Sequence, residues 1–167
     1  MGSVISAEHL EKVESYIDLA LEEGGEILTG GTRKSTNFSG PNGVGAFIRP
    51  TVISGLQHTS RCATEEIFGP VVTLHTFENE FQAIEMANHS EYGLAGSVWT
   101  QDIERGRILA SQIETGIVWV NTWLHRDLRT PFGGVKNSGV GREGGRWSLE
   151  FFSEMTNVCV KDTFTEQ

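Results

Sequence analysis

Apolar residues recur at Leu10, Val13, Ile17 and Ala20, the three- and four-residue spacing that lines one face of a helix. Ser6 stands where it can cap that helix, and Gly24-Gly25 where they can stop it. Between residues 30 and 45 the periodicity gives way to Gly, Ser, Thr and Asn around Gly40-Pro41-Asn42-Gly43. This predicts an exposed excursion between a short strand near 26–28 and another near 46–53, a loop inside a domain rather than a linker. Residues 71–77 predict a strand, 80–88 a helix with Phe81, Ile84 and Ala87 inward, and 96–100 a second strand. Asp102 is placed to cap a further helix through Glu114, with Ile103, Leu109, Ala110 and Ile113 on one face, and Gly116 to end it before a strand over 117–121. Strand, helix, strand, helix, strand predicts an α/β fold: a parallel sheet with flanking helices, in which the unbroken Ile117-Val118-Trp119-Val120 suits a strand covered on both faces.

No regular pattern follows Asn121 until Gly145, and the stretch is rich in Gly, Arg and Pro. A connection that long is where function is to be sought. A helix over about 146–155 would present Trp147, Phe151, Phe152 and Met155, after which 157–161 alternates as a strand. That strand has no obvious partner within the chain, since the run before it is helical and the sequence ends six residues later.

The 167 residues suffice for one domain with a real core. With 22 acidic against 13 basic side chains the net charge is -9, and the basic residues form no stripe, which argues against nucleic acid as a partner. Cys62 and Cys159 do not make a disulfide framework, and no leader-like segment precedes Ser6, so a soluble cytoplasmic protein is expected. The apolar runs are far shorter than the roughly 20 residues of a membrane-spanning helix. The five histidines show no paired ligand spacing, so no metal site is expected.

Two segments exceed what packing requires. Thr64-Glu65-Glu66-Ile67-Phe68-Gly69-Pro70 puts a carboxylate two residues before an aromatic ring, and in extended backbone such residues share a face and can address one ligand together. From spacing alone, a solvated Glu66 and a core Phe68 would serve as well. Downstream, Arg126-Asp127-Leu128-Arg129-Thr130-Pro131-Phe132-Gly133-Gly134 leads into Val135-Lys136-Asn137-Ser138-Gly139. A guanidinium at Arg126 keeps its charge at any working pH and offers a planar fork that matches a carboxylate. Pairing with Asp127, or plain surface charge, is the alternative for Arg126, and Arg129 also has Asp127 within reach of its sequence position. Gly139-Val140-Gly141-Arg142-Glu143-Gly144 matches a GxGxxG pattern but follows polar residues instead of an apolar strand, so these glycines are read as turn formers.

With these motifs, nearly the whole chain resembles the aldehyde dehydrogenase superfamily, and the Arg126 segment resembles its 2-hydroxymuconic and 2-aminomuconic semialdehyde members. The resemblance implies the C-terminal part of the catalytic domain over residues 1–155, followed by an oligomerisation strand and tail over 156–167. It implies NAD or NADP as cofactor, with Glu66 accepting from ribose hydroxyls and Phe68 flanking the nicotinamide. It also implies an aldehyde substrate bearing a carboxylate, with Arg126 at the outer tunnel and Phe132 at its wall. The family's nucleophilic cysteine, general-base glutamate and dinucleotide fold would lie upstream of Met1, and Cys62 and Cys159 occupy positions with no nucleophilic role. The chain alone is therefore expected to be inactive, as part of a homo-oligomeric enzyme or, alternatively, as a non-catalytic protein that associates with full-length homologues. Apolar surface is expected to remain exposed, and a freely soluble monomer is not expected.

Overall fold

Ser6 adopts extended backbone, and its side chain accepts from the His9 amide at 3.1 Å, opening helix α1 (Ala7–Glu22). A serine in that role contributes about 1 kcal/mol relative to alanine. Leu10, Val13, Ile17 and Ala20 of α1 are completely buried, as their spacing predicts, and Gly24 at φ +88° turns the chain out of the helix. These features come from a computed structural model, which describes residues 1–36, 39–40 and 45–161. Most of the predicted Gly40-Pro41-Asn42-Gly43 turn lies outside the described residues, as does the tail 162–167.

Chain contacts divide the protein into two units, Met1–Glu91 and Tyr92–Gln167. In the first, β1 (Glu26–Thr29) pairs antiparallel with β2 (Thr51–Ser54), which pairs parallel with β3 (Val71–Thr73) in the register Thr51↔Val71, Val52↔Val72, Ile53↔Thr73. Thr51 and Ile53 of the central strand are buried, and α1 covers this region through two clusters. Leu10, Val13 and Ile17 pack with Ile48 and Ile67, while Ala20 packs with Ile53, Leu56 and Cys62. Each fully buried aliphatic side chain contributes about 1.5–3 kcal/mol. Between β1 and β2 comes α2 (Arg33–Thr36), tied to α1 by a two-pronged Arg33–Glu14 pair. Between β2 and β3 comes α3 (Arg61–Thr64).

Helix α4 (Glu80–Asn88) has its predicted bounds and an Asn79 cap, but the inward face expected of Phe81, Ile84 and Ala87 is not buried. Phe81 is 79% exposed. Periodicity identifies the apolar face of a helix without supplying the surface that covers it.

In the second unit, β5 (Ala95–Val98) and β6 (Ile117–Val120) pair parallel in the register Ala95↔Ile117 to Val98↔Val120, joined through α5 (Ile103–Ala110). Asp102 caps α5 by accepting from the Arg105 amide at 3.0 Å. The helix ends at Ala110, one turn short of the expected Glu114, and residues 111–112 form a turn. It packs tightly at Gly106, where an added Cβ would sit 2.8 Å from Val120 and 2.9 Å from Thr100. A short antiparallel pair, β4 (Tyr92–Gly93) with β7 (Val135–Lys136), and helix α6 (Gly145–Phe151) complete the unit.

The α/β class is as predicted, with parallel strand pairs and flanking helices, but the strands do not line one sheet. β3 closes a three-stranded mixed sheet, and β5 with β6 forms a separate ladder. Alternation along the chain reveals strands; which edges pair is decided between segments far apart in sequence. Residues 154–161 form no strand within the chain and are exposed. No described helix is long and apolar enough to cross a membrane.

Candidate functional site

In the first unit the segment from Glu65 to Pro70 runs along α1 and leads into β3. Ile67 points into the α1 core, while Glu66 and Phe68 are exposed. The ring of Phe68 is 72% exposed, and no described residue pairs with the Glu66 carboxylate. Phe68 does not continue the extended backbone that the sequence predicts: its φ is +58°, in the left-handed region. For a residue carrying a Cβ this costs roughly 1–2 kcal/mol, and such strain persists only where surrounding contacts impose it.

Those contacts come from one face of α1. His9 Nε2 lies 2.7 Å from the Phe68 carbonyl oxygen, which can only accept, so the imidazole donates from Nε2. Lys12 Nζ donates to the Glu66 carbonyl at 3.0 Å, and the Tyr16 hydroxyl donates to Glu65 Oε2 at 2.6 Å. Gly69 passes so close to α1 that an added Cβ would sit 2.6 Å from Val13 Cγ2. Arg61 grips Glu65 with two N–H groups, at 2.7 and 3.0 Å. The Arg61 guanidinium, with the Tyr16 hydroxyl, holds the Glu65 carboxyl down at about 2, while the bond to Glu65 pushes the Tyr16 hydroxyl above its ordinary value.

Cys62 is part of the packing. It is buried with Ala20, Ile53 and Leu56, and its Sγ donates to the Tyr16 carbonyl at 3.2 Å. Burial, reinforced by the nearby Glu23 carboxylate, pushes the thiol up to about 12, the opposite of what a nucleophile needs. Cys159 is exposed in the irregular stretch 154–161.

In the second unit a β-bridge sets Phe132 opposite Glu143, with mutual amide-to-carbonyl bonds of 2.9 and 2.8 Å. Arg126 lies over both. Its guanidinium carbon is 3.8 Å from the centre of the Phe132 ring, and one of its terminal nitrogens donates to Glu143 Oε1 at 2.6 Å. A guanidinium stacked on an aromatic face stays charged with its plane fixed, and a single bond to Glu143 leaves donors on the fork for an incoming carboxylate. Asp127 pairs with Arg129 instead, and the Arg129 guanidinium holds the Asp127 carboxyl below its ordinary range. A cavity of about 410 Å3 opens beside Phe132, lined also by Leu94, Val140, Arg142, Phe151 and Phe152. Gly139 and Gly141 of the glycine-rich turn line it as well. Gly144 at φ +98° and Gly145 at φ +48° pass against the carbonyls of Thr130 and Arg129, and Arg142 ties the turn to the Gly134 and Gly141 carbonyls at 2.9 and 2.7 Å.

The structure thus leaves Glu66 and Phe68 exposed as neighbours of the buried Ile67, and brings Arg126 and Phe132 into contact. Sequence reasoning missed Glu143 as the partner of Arg126, and His9, Lys12 and Tyr16 as the holders of the Glu65–Phe68 backbone. The spacing of those three along one helix face was a readable signal; their target was not.

A family model described as "Aldehyde dehydrogenase family" matches residues 1–158. A 2-hydroxymuconic semialdehyde dehydrogenase from Pseudomonas sp. (strain CF600) is 48% identical over 96% of this chain and 32% of its own length. A human 2-aminomuconic semialdehyde dehydrogenase is 45% identical over 96% of this chain and 33% of its own. The crystal structure of a Mycobacterium tuberculosis aldehyde dehydrogenase complexed with NAD+ superposes with a TM-score of 0.88 at 40% identity, covering 99% of this chain and 33% of that one. The chain spans about a third of the length of the relatives it matches.

Proposed function

The chain belongs to the aldehyde dehydrogenase family, and from that premise we propose that it supplies the cofactor-facing and substrate-facing walls of an NAD(P)-dependent enzyme that oxidises a carboxylate-bearing semialdehyde to the acid. The reacting thiol comes from outside these 167 residues. A bound NAD or NADP would supply the hydride acceptor for oxidation of an aldehyde held by an external thiolate, and water would then release the acid. Glu66 accepts from ribose hydroxyls, Phe68 flanks the nicotinamide, Phe132 walls the substrate, and Arg126 takes its distal carboxylate. A carboxylate and an exposed ring two residues apart suit a nucleotide sugar and its base. The surroundings of Cys62 speak against it as nucleophile. The reading includes a cytoplasmic setting and assembly into a homo-oligomer.

The observation that carries the substrate class is Arg126 laid on Phe132 at 3.8 Å with fork donors to spare, in a chain whose relatives are named for muconic semialdehydes. The change matching Arg126→Ala in a full-length relative should cost carboxylated aldehydes about 1.5–3 kcal/mol in kcat/KM relative to neutral ones, the value of a charge-assisted hydrogen bond. An unchanged ratio removes the assignment. The purified chain with NAD and a semialdehyde should produce no NADH; turnover abolished by Cys62→Ala would overturn the external thiol.

A second reading, a non-catalytic protein that inserts into assemblies of a full-length relative, is favoured by the exposed, ladder-free stretch 154–161, in which Val158 is 77% and Val160 84% exposed.

A further inference from the structure

Three side chains of α1, one and two turns apart, meet the segment before β3 in reverse order: His9 at Phe68, Lys12 at Glu66, Tyr16 at Glu65. All three bonds join residues about fifty or more positions apart, so none is a by-product of local chain geometry. The His9 contact differs from the others because its partner is the carbonyl of the one residue in the segment with a left-handed backbone. The same imidazole also meets the Phe68 ring edge-on, at 6.0 Å and 76°. Left alone, a phenylalanine would relax toward negative φ, and the rotation would re-aim both its ring and its carbonyl.

We propose that His9 is a positioning residue: by donating to the Phe68 carbonyl and packing against its ring, it holds Phe68 in the left-handed conformation that presents the ring outward, two residues from the exposed Glu66. The inference rests on the reading of Glu66 and Phe68 as the nicotinamide-ribose contacts, and it deepens that reading by naming what pre-orders them. Lys12 contributes by fixing the Glu66 carbonyl, and Gly69 by letting the segment lie directly on Val13. His9 acts through Phe68. A ring that is already aimed forgoes the ordering cost on binding, which is where such a contact gains affinity.

The test uses the full chain with His9→Gln, which keeps a donor, and His9→Leu, which removes it. His9 is half-buried, and the fully buried Leu10 and Val13 beside it report whether α1 remains folded. A left-handed residue brings its own amide and Hα protons close, so Phe68 should give a strong intraresidue amide–Hα NOE in the wild type. The NOE should persist in His9→Gln and weaken in His9→Leu while the Leu10 and Val13 methyl signals stay in place. The ligand arm titrates nicotinamide mononucleotide and follows the Glu66 and Phe68 amides. Binding should fall in His9→Leu by the roughly two- to tenfold that one neutral hydrogen bond supports, and recover in His9→Gln. A Phe68 NOE unchanged in His9→Leu overturns the positioning role. A wild-type Phe68 with the left-handed signature and no response to the mononucleotide overturns instead the cofactor reading on which that role was built.

Discussion

Glu65 shows how an exposed residue acquires a pH dependence through its partners. The Arg61 guanidinium and Tyr16 hydroxyl favour its ionised form and hold its carboxyl at about 2, against an ordinary 4.5. A carboxyl whose folded value is depressed contributes stability that is present above the unfolded value and lost as pH falls through the folded one. The first unit should therefore lose stability between about pH 4.5 and 2, and Glu65→Gln should flatten that limb. Thermal unfolding across the range checks this; parallel acid limbs for the two proteins would remove the assignment. The thiols give a second residue-scale prediction. Cys62 is buried and pushed up to about 12 while Cys159 is exposed, so iodoacetamide at about pH 8 should place a single adduct on the Cys159 peptide of the folded chain. Mass spectrometry reads it, and equal labelling of both cysteines would contradict the burial of Cys62.

At the scale of elements, the two N-caps that the sequence predicts, Ser6 and Asp102, each accept from the amide three residues on, and Asn79, which it does not single out, does the same for α4. The elements meet, however, at glycines whose necessity only packing reveals. A Cβ at Gly116, just before β6, would overlap the Gly133 carbonyl oxygen, where the chain leading to β7 crosses. Gly116→Ala should destabilise the second unit by about 3 kcal/mol or more, because both clashing groups are backbone and neither can rotate away. Gly96→Ala in β5, whose Cβ would find Ile113 at 3.4 Å, should cost far less. Denaturant midpoints for the two variants test the contrast, and similar losses would mean that the Gly133 crossing yields readily. Helix α1 does the most of any element, since one face carries the core and the neighbouring one carries the bonds to Phe68, Glu66 and Glu65.

Taken whole, the molecule exposes large apolar side chains in both units, among them Phe68, Phe81, Trp99, Phe152 and Val160. Exposed apolar surface on this scale drives association. Sedimentation of the purified chain should show self-association that shifts to a mixed complex when a full-length relative is added, with Val160→Asp weakening it; a monomer indifferent to the relative would argue against assembly through the C-terminal stretch. The amino-acid sequence by itself determined helix α1 and its buried stripe, the caps, the α4 bounds, the parallel crossover through α5 and the family, because spacing and side-chain chemistry act over a few residues and are written locally. Only the tertiary structure decided that the strands divide among separate sheets, that α4 keeps Phe81 exposed, that Arg126 pairs with Glu143 instead of Asp127, and that His9 reaches across 59 positions to hold Phe68 at positive φ. Those outcomes depend on which distant surfaces meet, and no local pattern encodes its own partner.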